Sequence, residues 1–418
     1  MKAQLLTYFG EPKVAKQLKP YFAKEQFKLQ LRGLHGSSIV IAASAAIRES
    51  NKPHLFIFTE KEEASYFVNE MESLLNNEIL FYPASYRRAY QFEETDNANI
   101  LLRAEVLNKL NNKRNPIIIT YSEALSEKVI NRKELKKQTI TLKQSEKNNI
   151  EELEKLLFKY NFELEDFVTE PGQFSIRGGI IDVFSYADEH PYRIEFLNNE
   201  ITSIRTFNIN SQLSIDIKNK INIVPNTEAK KVVGKFVSFL EYLPKNSVIW
   251  TKNINYSKGV LDNYFIKAKE HYKNLNNTLS TFQDLEELFT SGKKFCCELI
   301  NYTVIEISNE SYYKSNKTFI CKTKPLPTFN KKFNLLTTDL IQNQKDNLKN
   351  IILCSNEEQE KRFHSIFEQY KDEIFYKCIP FTLHQGFIDY DNKYAIYTDH
   401  QLFERYHRFI PKTKFSDK

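Results

Sequence analysis

Short apolar runs alternate with amphipathic stretches through the first 130 residues of the chain. The apolar pattern predicts helices over Ser38–Glu49, Lys61–Leu75 and Ile100–Leu110. It predicts strands over Lys28–Leu31, His54–Thr59, Ile79–Tyr82 and Pro116–Tyr121. Strands and helices in this alternating order favour a parallel sheet, so the region is predicted to form an α/β domain.

Between Gly172 and Gln212 the pattern changes to alternation of apolar and polar residues. This period is typical of a sheet with one wet face. It predicts a three-stranded antiparallel meander of Ser175–Phe184, Tyr192–Leu197 and Glu200–Phe207. Asn198 and Asn199 form the second turn, because asparagine tolerates the positive φ angles that two-residue hairpin turns need.

Arginines stand at unusual positions in this predicted meander. In the middle strand the alternate residues Arg193, Glu195 and Leu197 share one face of the sheet. Arg177 lies in the first strand. Such a face binds a partner, or its arginines pair with neighbouring carboxylates such as Glu195 and Asp182. A rim ion pair of that kind contributes only about 0–1 kcal/mol.

Smaller segments surround the meander. The lysine-rich Val129–Asn148 predicts a solvated strand edge and linker, and Glu151–Tyr160 predicts an amphipathic helix. The meander and its neighbouring segments are predicted to form an inserted region that ends near Val224-Pro225. Beyond it, a mixture of helices and strands is predicted again. The two prolines of Lys322–Lys331 mark a boundary. A small α/β unit follows, predicted from strands Ile351–Cys354, Phe375–Ile379 and Tyr394–Thr398 and helix Glu357–Tyr370.

A glycine-containing loop follows the first predicted strand, where a nucleotide-binding fold carries its phosphate loop. That loop reads GxxxxGK and then Ser or Thr, because lysine neutralises the phosphates and the hydroxyl holds Mg²⁺. Here the loop residues are Gly33, Gly36, Ser37, Ser38, Ile39 and Val40, with Ser38, Ile39 and Val40 in the last three places. ATP hydrolysis is therefore not expected. Two roles for the loop stay open: the glycines only turn the chain into the helix, or the helix N-terminus binds an anion.

These segments together predict an α/β protein. It combines a degenerate P-loop NTPase-like domain, an inserted antiparallel α+β domain and a small C-terminal α/β domain. The predicted bounds are 1–127 and 226–335 for the two halves of the first domain, 128–225 for the insertion and 345–412 for the last domain.

Composition limits the remaining possibilities. The 418 residues are 41% hydrophobic and 27% charged, which is ordinary for a globular protein of several domains. No run of about 18 apolar residues occurs, and Gly10 and Pro12 interrupt the N-terminal segment, so a cytoplasmic protein without membrane contact is expected. Five cysteines without CxxC spacing predict reduced, mostly buried thiols and no metal site. The net charge of +6 permits nucleic-acid contact without demanding it.

Two further segments carry candidate binding residues. Arg87 and Arg88 stand among tyrosines in Tyr82–Asn99, an arrangement that stacks on and neutralises single-stranded DNA or forms a surface loop folded on its domain. His400 and His407 lie two helical turns apart without a carboxylate at suitable spacing, so no metal is expected there.

Two closely spaced blocks, Arg177–Phe184 and Pro191–Arg193, carry a resemblance to a known family. They read arginine, glycine, small, apolar, apolar, aspartate, apolar, phenylalanine, then proline, tyrosine, arginine. This pattern resembles the second domain of bacterial transcription-repair coupling factors (Mfd), which the excision-repair protein UvrB shares. Weaker similarity extends along the whole chain. The resemblance implies that the sheet docks UvrA, with Arg177 and Arg193 matching two contact arginines and Leu197 at a position that is aromatic in some members.

The resemblance also carries expectations for the whole protein. In the family, an RNA polymerase-binding domain and an ATP-driven DNA translocase lie C-terminal to this region. The chain ends at Lys418, so it is expected to be an N-terminal fragment that recruits nucleotide excision repair to RNA polymerase stalled at lesions. ATP and Mg²⁺ would belong to the motor, and neither a cofactor nor a catalytic residue is expected here. In the family a C-terminal domain masks the docking surface, so the fragment is expected to bind UvrA without restraint.

Two alternatives stay open. One is a UvrB-like ATPase that verifies DNA damage. Three features argue against it: the missing phosphate-loop lysine, a Tyr82–Asn99 loop that is shorter than the hairpin of UvrB, and Thr251 and Lys252 where an acidic DExx pair would stand. The other is a general nucleic-acid-binding module, which rests on charge alone and predicts a steep salt dependence of binding.

Overall fold

The computed structural model describes residues 10–85, 97–112, 115–227, 235–275, 288–329 and 331–404. The chain forms two compact units. The first comprises Met1–Ile79, Lys245–Tyr256 and Leu299–Pro411, and the second comprises Leu80–Pro244, Ser257–Glu298 and Lys412–Lys418. None of the helices in the described ranges is long and apolar enough to cross a membrane. The four predicted domain ranges stay predictions.

Twenty-two strands and twelve α-helices make up the described part of the chain. The strands are β1 Lys28–Arg32, β2 His54–Phe58, β3 Ile79–Tyr82, β4 Ile117–Tyr121, β5 Val129–Ile130, β6 Ile140–Lys143, β7 Glu163–Leu164, β8 Gln173–Arg177, β9 Ile180–Val183, β10 Tyr192–Leu197, β11 Glu200–Phe207, β12 Ser214–Ile217, β13 Lys220–Ile223, β14 Phe236–Val237, β15 Val248–Thr251, β16 Thr303–Ile307, β17 Lys317–Ile320, β18 Thr323–Pro325, β19 Lys349–Cys354, β20 Tyr376–Pro380, β21 Phe387–Asp389 and β22 Tyr394–Thr398. The helices are α1 Lys13–Leu18, α2 Ser38–Ile47, α3 Lys61–Leu74, α4 Asn97–Asn112, α5 Arg132–Gln138, α6 Ile150–Lys159, α7 Phe239–Tyr242, α8 Ile254–Leu275, α9 Gly292–Leu299, α10 Phe333–Lys345, α11 Glu357–Phe367 and α12 Asp399–Leu402.

A parallel sheet organises the first unit. Its strands lie in the order β17-β1-β16-β15-β2, and every one of these pairings is parallel. All five residues of β2 are buried, because a strand of a parallel sheet is covered on both faces. All ten residues of α2 are buried as well, which fits a helix whose residues are nearly all apolar. The seven strands and helices predicted for the first 130 residues are confirmed, with differences only at their ends.

A second, smaller sheet lies in the C-terminal part of the same unit. Its order is β18-β21-β22-β19-β20, with β19 parallel to both of its neighbours. The predicted strands and helix of this α/β unit are confirmed. The segment Lys322–Lys331, predicted to mark a boundary, contains strand β18, which pairs with β21. Pro325 is tolerated because β18 is the edge strand, where a missing N–H costs no ladder bond.

The inserted sheet lies in the second unit. It has six strands in the order β12-β11-β10-β9-β8-β7, antiparallel except for the β7–β8 pair. Its buried face is mostly aliphatic, with Phe174 and Tyr192 among the aliphatic side chains. The cross-strand neighbours Ile181, Ile194 and Ile204 are all fully buried. Helix α6 packs on the same core, and the Asn149 side chain caps it by accepting a hydrogen bond from the Glu151 N–H at 2.9 Å.

One prediction about this sheet was wrong in part, and another is confirmed. The first predicted strand, Ser175–Phe184, is a hairpin of β8 and β9 around Gly178 and Gly179. Gly178 has a φ of 62°, which suits the first position of a two-residue type II′ turn, and such a tight turn leaves the apolar alternation intact on both sides. The second turn is confirmed, with φ values of 50° at Asn198 and 61° at Asn199.

The segment Val129–Asn148 is not a solvated linker. It contains helix α5 and strand β6, and β6 pairs with β13. Leu142 in β6 is fully buried in the core of the inserted sheet, and Ile140 lies beside it. The lysines of this segment occupy exposed positions. The prediction was wrong because it relied on the lysine content and overlooked a strand with one buried face.

Candidate functional site: the arginine face and the former phosphate loop

The exposed side of the inserted sheet gathers the predicted arginines around one buried carboxylate. The β9–β10 register places Arg193 directly opposite Asp182, and β8 brings Arg177 beside it. Arg193 grips the carboxylate bidentately, with Nε to Oδ1 and Nη2 to Oδ2 both at 2.8 Å. Arg177 forms an ion pair with the same carboxylate through Nη2. The Asp182 side chain is only 2% exposed, so two guanidinium groups compensate one desolvated charge.

Arg193 is the more firmly held of the two arginines. Its Nη2 also donates to Gln212 Oε1 at 2.9 Å, and its guanidinium lies 4.3 Å from the centre of the Phe207 ring. Hydrogen bonding to Asp182 raises the pKa of Arg193 above its already high usual value. Its side chain is 16% exposed, against 38% for Arg177. Arg193 is therefore held rigidly against Asp182, while Arg177 exposes more of its side chain to a partner.

Apolar side chains surround the arginine pair. Leu197, the third predicted contact residue, is 65% exposed. Phe167, 61% exposed, lies under the Arg177 guanidinium with its ring centre 5.1 Å away. Ile217 on edge strand β12 is 78% exposed and lies opposite Arg205. Sequence reasoning missed Phe167 and Ile217, although the alternation of Ile215, Asp216 and Ile217 signals an apolar row on an exposed edge strand.

We call Arg177, Asp182, Arg193 and Leu197, with Phe167 and Ile217 beside them, the arginine face. Held guanidinium groups next to exposed apolar side chains are the composition of protein–protein hot spots, where arginine and aromatic residues are enriched. A surface for nucleic-acid phosphates needs uncompensated cations instead. On this face Asp182 pairs with both predicted arginines, and Glu195 pairs with Arg205. Its chemistry therefore favours a protein partner.

The glycine-containing loop that was predicted to be a degenerate phosphate loop, called the former phosphate loop below, lies in the first unit between β1 and α2. Gly33 and Gly36 adopt φ values of 76° and 53°, so the glycines turn the chain as expected. The Ser37 N–H donates to the Gln385 carbonyl at 3.1 Å, and the Gln385 N–H donates to Ser37 Oγ at 3.0 Å. A Cβ built on Gly36 would lie 2.8 Å from the Gly386 carbonyl oxygen. A backbone segment of the same chain thus lies where a nucleotide-binding loop would hold phosphate.

A buried carboxylate completes this arrangement. Glu70 accepts hydrogen bonds from Ser37 Oγ and, at 2.7 Å, from the His384 N–H. The ring of His384 stacks on Tyr66. Glu70 thus takes the donors that a phosphate oxygen would use, and it joins the loop to the segment around His384.

The adjoining cavity has the wrong charge for a nucleotide. Its volume is about 640 Å³. The acidic and lysine side chains that line it are Glu60, Glu62, Glu63, Glu70 and Lys252. Lys252, which follows β15 where an acidic pair would stand in an ATPase, forms an ion pair with Glu63. The carboxylates outnumber the ammonium group, so the cavity disfavours a triphosphate.

We expect the 418-residue chain not to bind Mg-ATP at micromolar concentration in titration calorimetry. The loop offers neither a lysine nor a free path for phosphate, because its Ser37 donor and acceptor are occupied by Gln385. A micromolar Kd for Mg-ATP would contradict this expectation.

Glu70 makes stability depend on pH in a defined direction. Burial raises the pKa of Glu70 to about 7, against the opposing effect of its hydrogen bonds to Ser37 and His384. The folded state therefore holds the proton more tightly than the unfolded chain, and this contribution to the free energy of unfolding is lost as pH rises through about 7.

Glu70→Gln should thus gain stability relative to the native chain between pH 5 and pH 8, by on the order of 1–3 kcal/mol. Urea unfolding of both proteins at both pH values measures this. Glu62→Gln, an exposed position on the same helix, is the control. An equal effect of both substitutions would contradict the assignment to Glu70.

The remaining predicted residues divide into three groups. Cys296, Cys321 and Cys354 are buried, as predicted for most of the thiols, whereas Cys297 is exposed. His400 is held by the His384 carbonyl, 2.9 Å from Nε2. Arg87, Arg88 and His407 lie outside the described residues.

Comparison with known proteins places the arginine face inside a recognised domain. Residues 140–228 match the family model described as the UvrB interaction domain, a range that includes β6 to β13. The transcription-repair-coupling factor of Bacillus subtilis (strain 168) is 32% identical over 206 residues, which are 49% of this chain and 17% of that protein. The resemblance expected from the sequence is thus confirmed.

Two further relatives extend the similarity. The transcription-repair-coupling factor of Rickettsia conorii (strain ATCC VR-613 / Malish 7) is 26% identical over 345 residues, covering 77% of this chain and 30% of that protein. The UvrABC system protein B of Treponema denticola is 25% identical over 292 residues, covering 65% of this chain and 41% of that protein. The chain therefore spans less than half the length of each relative.

Proposed function

We propose that the arginine face docks UvrA, and that the chain is the N-terminal module of a transcription-repair coupling factor. In that role it recruits nucleotide excision repair to RNA polymerase stalled at DNA lesions. The observation that carries the proposal is the convergence of Arg177 and Arg193 on buried Asp182, beside exposed Leu197, within the range that matches the UvrB interaction domain. Polymerase binding and ATP-driven translocation on DNA would belong to further domains of the whole protein.

The geometry supports docking of a protein more than the two alternatives. A damage-verifying ATPase needs an accessible phosphate loop, and here Gln385 and Glu70 occupy the hydrogen-bonding groups of Ser37. A general nucleic-acid-binding module needs unpaired cations, and the arginines of the face are paired with Asp182 and Glu195. We therefore propose that the chain itself needs no ATP, Mg²⁺ or other cofactor to bind UvrA.

Titration calorimetry of the 418-residue chain with purified UvrA tests the proposal. We expect saturable binding that persists without added nucleotide and changes little with salt, because the partner is a protein and the charges of the face are already paired. The same preparation is titrated with single-stranded DNA. Absence of UvrA binding, or DNA binding that is tighter than UvrA binding and falls steeply with salt, would overturn the proposal.

A further inference from the structure

A cluster of metal-ligating side chains lies in the C-terminal α/β part of the first unit. Glu360 and His364 stand one turn apart on α11, and Cys378 lies on β20. One ligand atom from each of these three residues lies within 4.8 Å of those of the other two. Cysteine and histidine spacing along the sequence gives no sign of this cluster, because its residues come from a helix and a strand.

The histidine of this cluster is oriented as metal ligands usually are. The Nδ1 atom of His364 is hydrogen-bonded to the Tyr376 hydroxyl at 2.8 Å, and its Nε2 atom lies 3.8 Å from Glu360 Oε1. Tyr376 precedes Cys378 by two residues on β20, so both side chains stand on the same face of that strand. A partner on one ring nitrogen fixes the imidazole and leaves the other nitrogen for a metal.

The cysteine of the cluster lies on a strand paired with β19. Cys378 stands opposite Ile352 of that parallel strand and is partly buried. Thiolate is the form of cysteine that binds metal ions.

We propose that Glu360, His364 and Cys378 form a zinc site, with Tyr376 as the hydrogen-bonding partner of His364. A thiolate, an imidazole and a carboxylate suit Zn²⁺, whereas Ca²⁺ and Mg²⁺ take oxygen ligands. Three protein ligands leave the fourth tetrahedral position to water, and Glu360 and His364 are solvent-exposed enough for an ion to enter. The ion would fasten α11 to strand β20.

Cobalt titration of the reduced 418-residue chain tests the site, since Co²⁺ bound to a thiolate gives a charge-transfer absorption band. We expect one equivalent of Co²⁺ to produce this band and Zn²⁺ to abolish it by displacement. Cys378→Ser should remove the band, and His364→Ala should weaken Co²⁺ binding at least tenfold. Tyr376→Phe should weaken it by about 10–100-fold, the usual effect of losing such a partner.

The controls separate a built site from scattered surface binding. Cys297→Ser removes the exposed cysteine of α9 and should leave the titration unchanged. His364 is on the surface, so circular dichroism should show His364→Ala to be folded. No charge-transfer band, a band that survives in Cys378→Ser, or one that Cys297→Ser removes would overturn the proposal.

Discussion

Arg177→Ala and Arg193→Ala are each expected to weaken UvrA binding by about 1–4 kcal/mol, the range found for interface arginines. Arg177 would lose a partly exposed guanidinium that lies over Phe167. Arg193 would lose the bidentate contact that holds Asp182 and, through it, Arg177. Calorimetry of each variant with UvrA measures the change.

The stability of the variants must be measured alongside their affinity. Arg193→Ala removes a partner from a carboxylate that is 2% exposed, so it is expected to lower the free energy of unfolding as well. Arg177→Ala, at 38% exposure, is expected to cost less stability. Arg48→Ala, an exposed arginine at the end of α2, is the matched control and should leave binding unchanged. Undiminished affinity in both single variants and their double would rule out the arginine face as the docking site.

Arg103→Met is expected to lower the free energy of unfolding by about 3–5 kcal/mol, as when one member of a buried ion pair is removed. Arg103 is fully buried, and its Nη2 lies 3.4 Å from Oε2 of the buried Glu127. Its Nη1 donates to the Pro83 carbonyl at 3.0 Å, and its guanidinium lies 4.4 Å from the centre of the Tyr82 ring. Methionine fills much of the space but removes the positive charge that faces Glu127. Urea unfolding monitored by circular dichroism measures the loss.

A double variant tests this cause directly. Arg103→Met with Glu127→Gln removes both charges, and glutamine can still accept the hydrogen bond that Glu127 Oε1 receives from the Ser85 N–H. The double variant should therefore be more stable than Arg103→Met alone. If both lose the same stability, the effect comes from packing and not from the stranded carboxylate.

Local patterns explain why most elements could be predicted. The strands β10 and β11 and the Asn198-Asn199 turn depend on alternation and on backbone preferences within a few residues, which the sequence displays directly. The errors arose where two local signals conflicted. Gly178-Gly179 interrupted an alternation that continued on either side, and the lysines of Val129–Asn148 outweighed the buried Leu142.

Arg177, Arg193 and Leu197 of the arginine face were predictable, but the chemistry of the face was not. Alternation placed Arg193 and Leu197 on one side of the sheet, and the motif added Arg177. Strand register decided that both arginines meet Asp182, because pairing between β9 and β10 depends on the whole sheet. The same holds for Phe167 and Ile217, which reach this face from a loop and from an edge strand.

By itself the sequence determined the succession of helices and strands, the absence of a phosphate-loop lysine, and three members of the arginine face, Arg177, Arg193 and Leu197. These are properties of residue type and of short periodic patterns, which depend on neighbours along the chain. Only the tertiary structure decided that Gln385 meets Ser37 in the former phosphate loop, that Glu70 is buried there, and that Cys378 lies beside His364. Such contacts join elements far apart in sequence, and their geometry follows from packing, which no local pattern encodes.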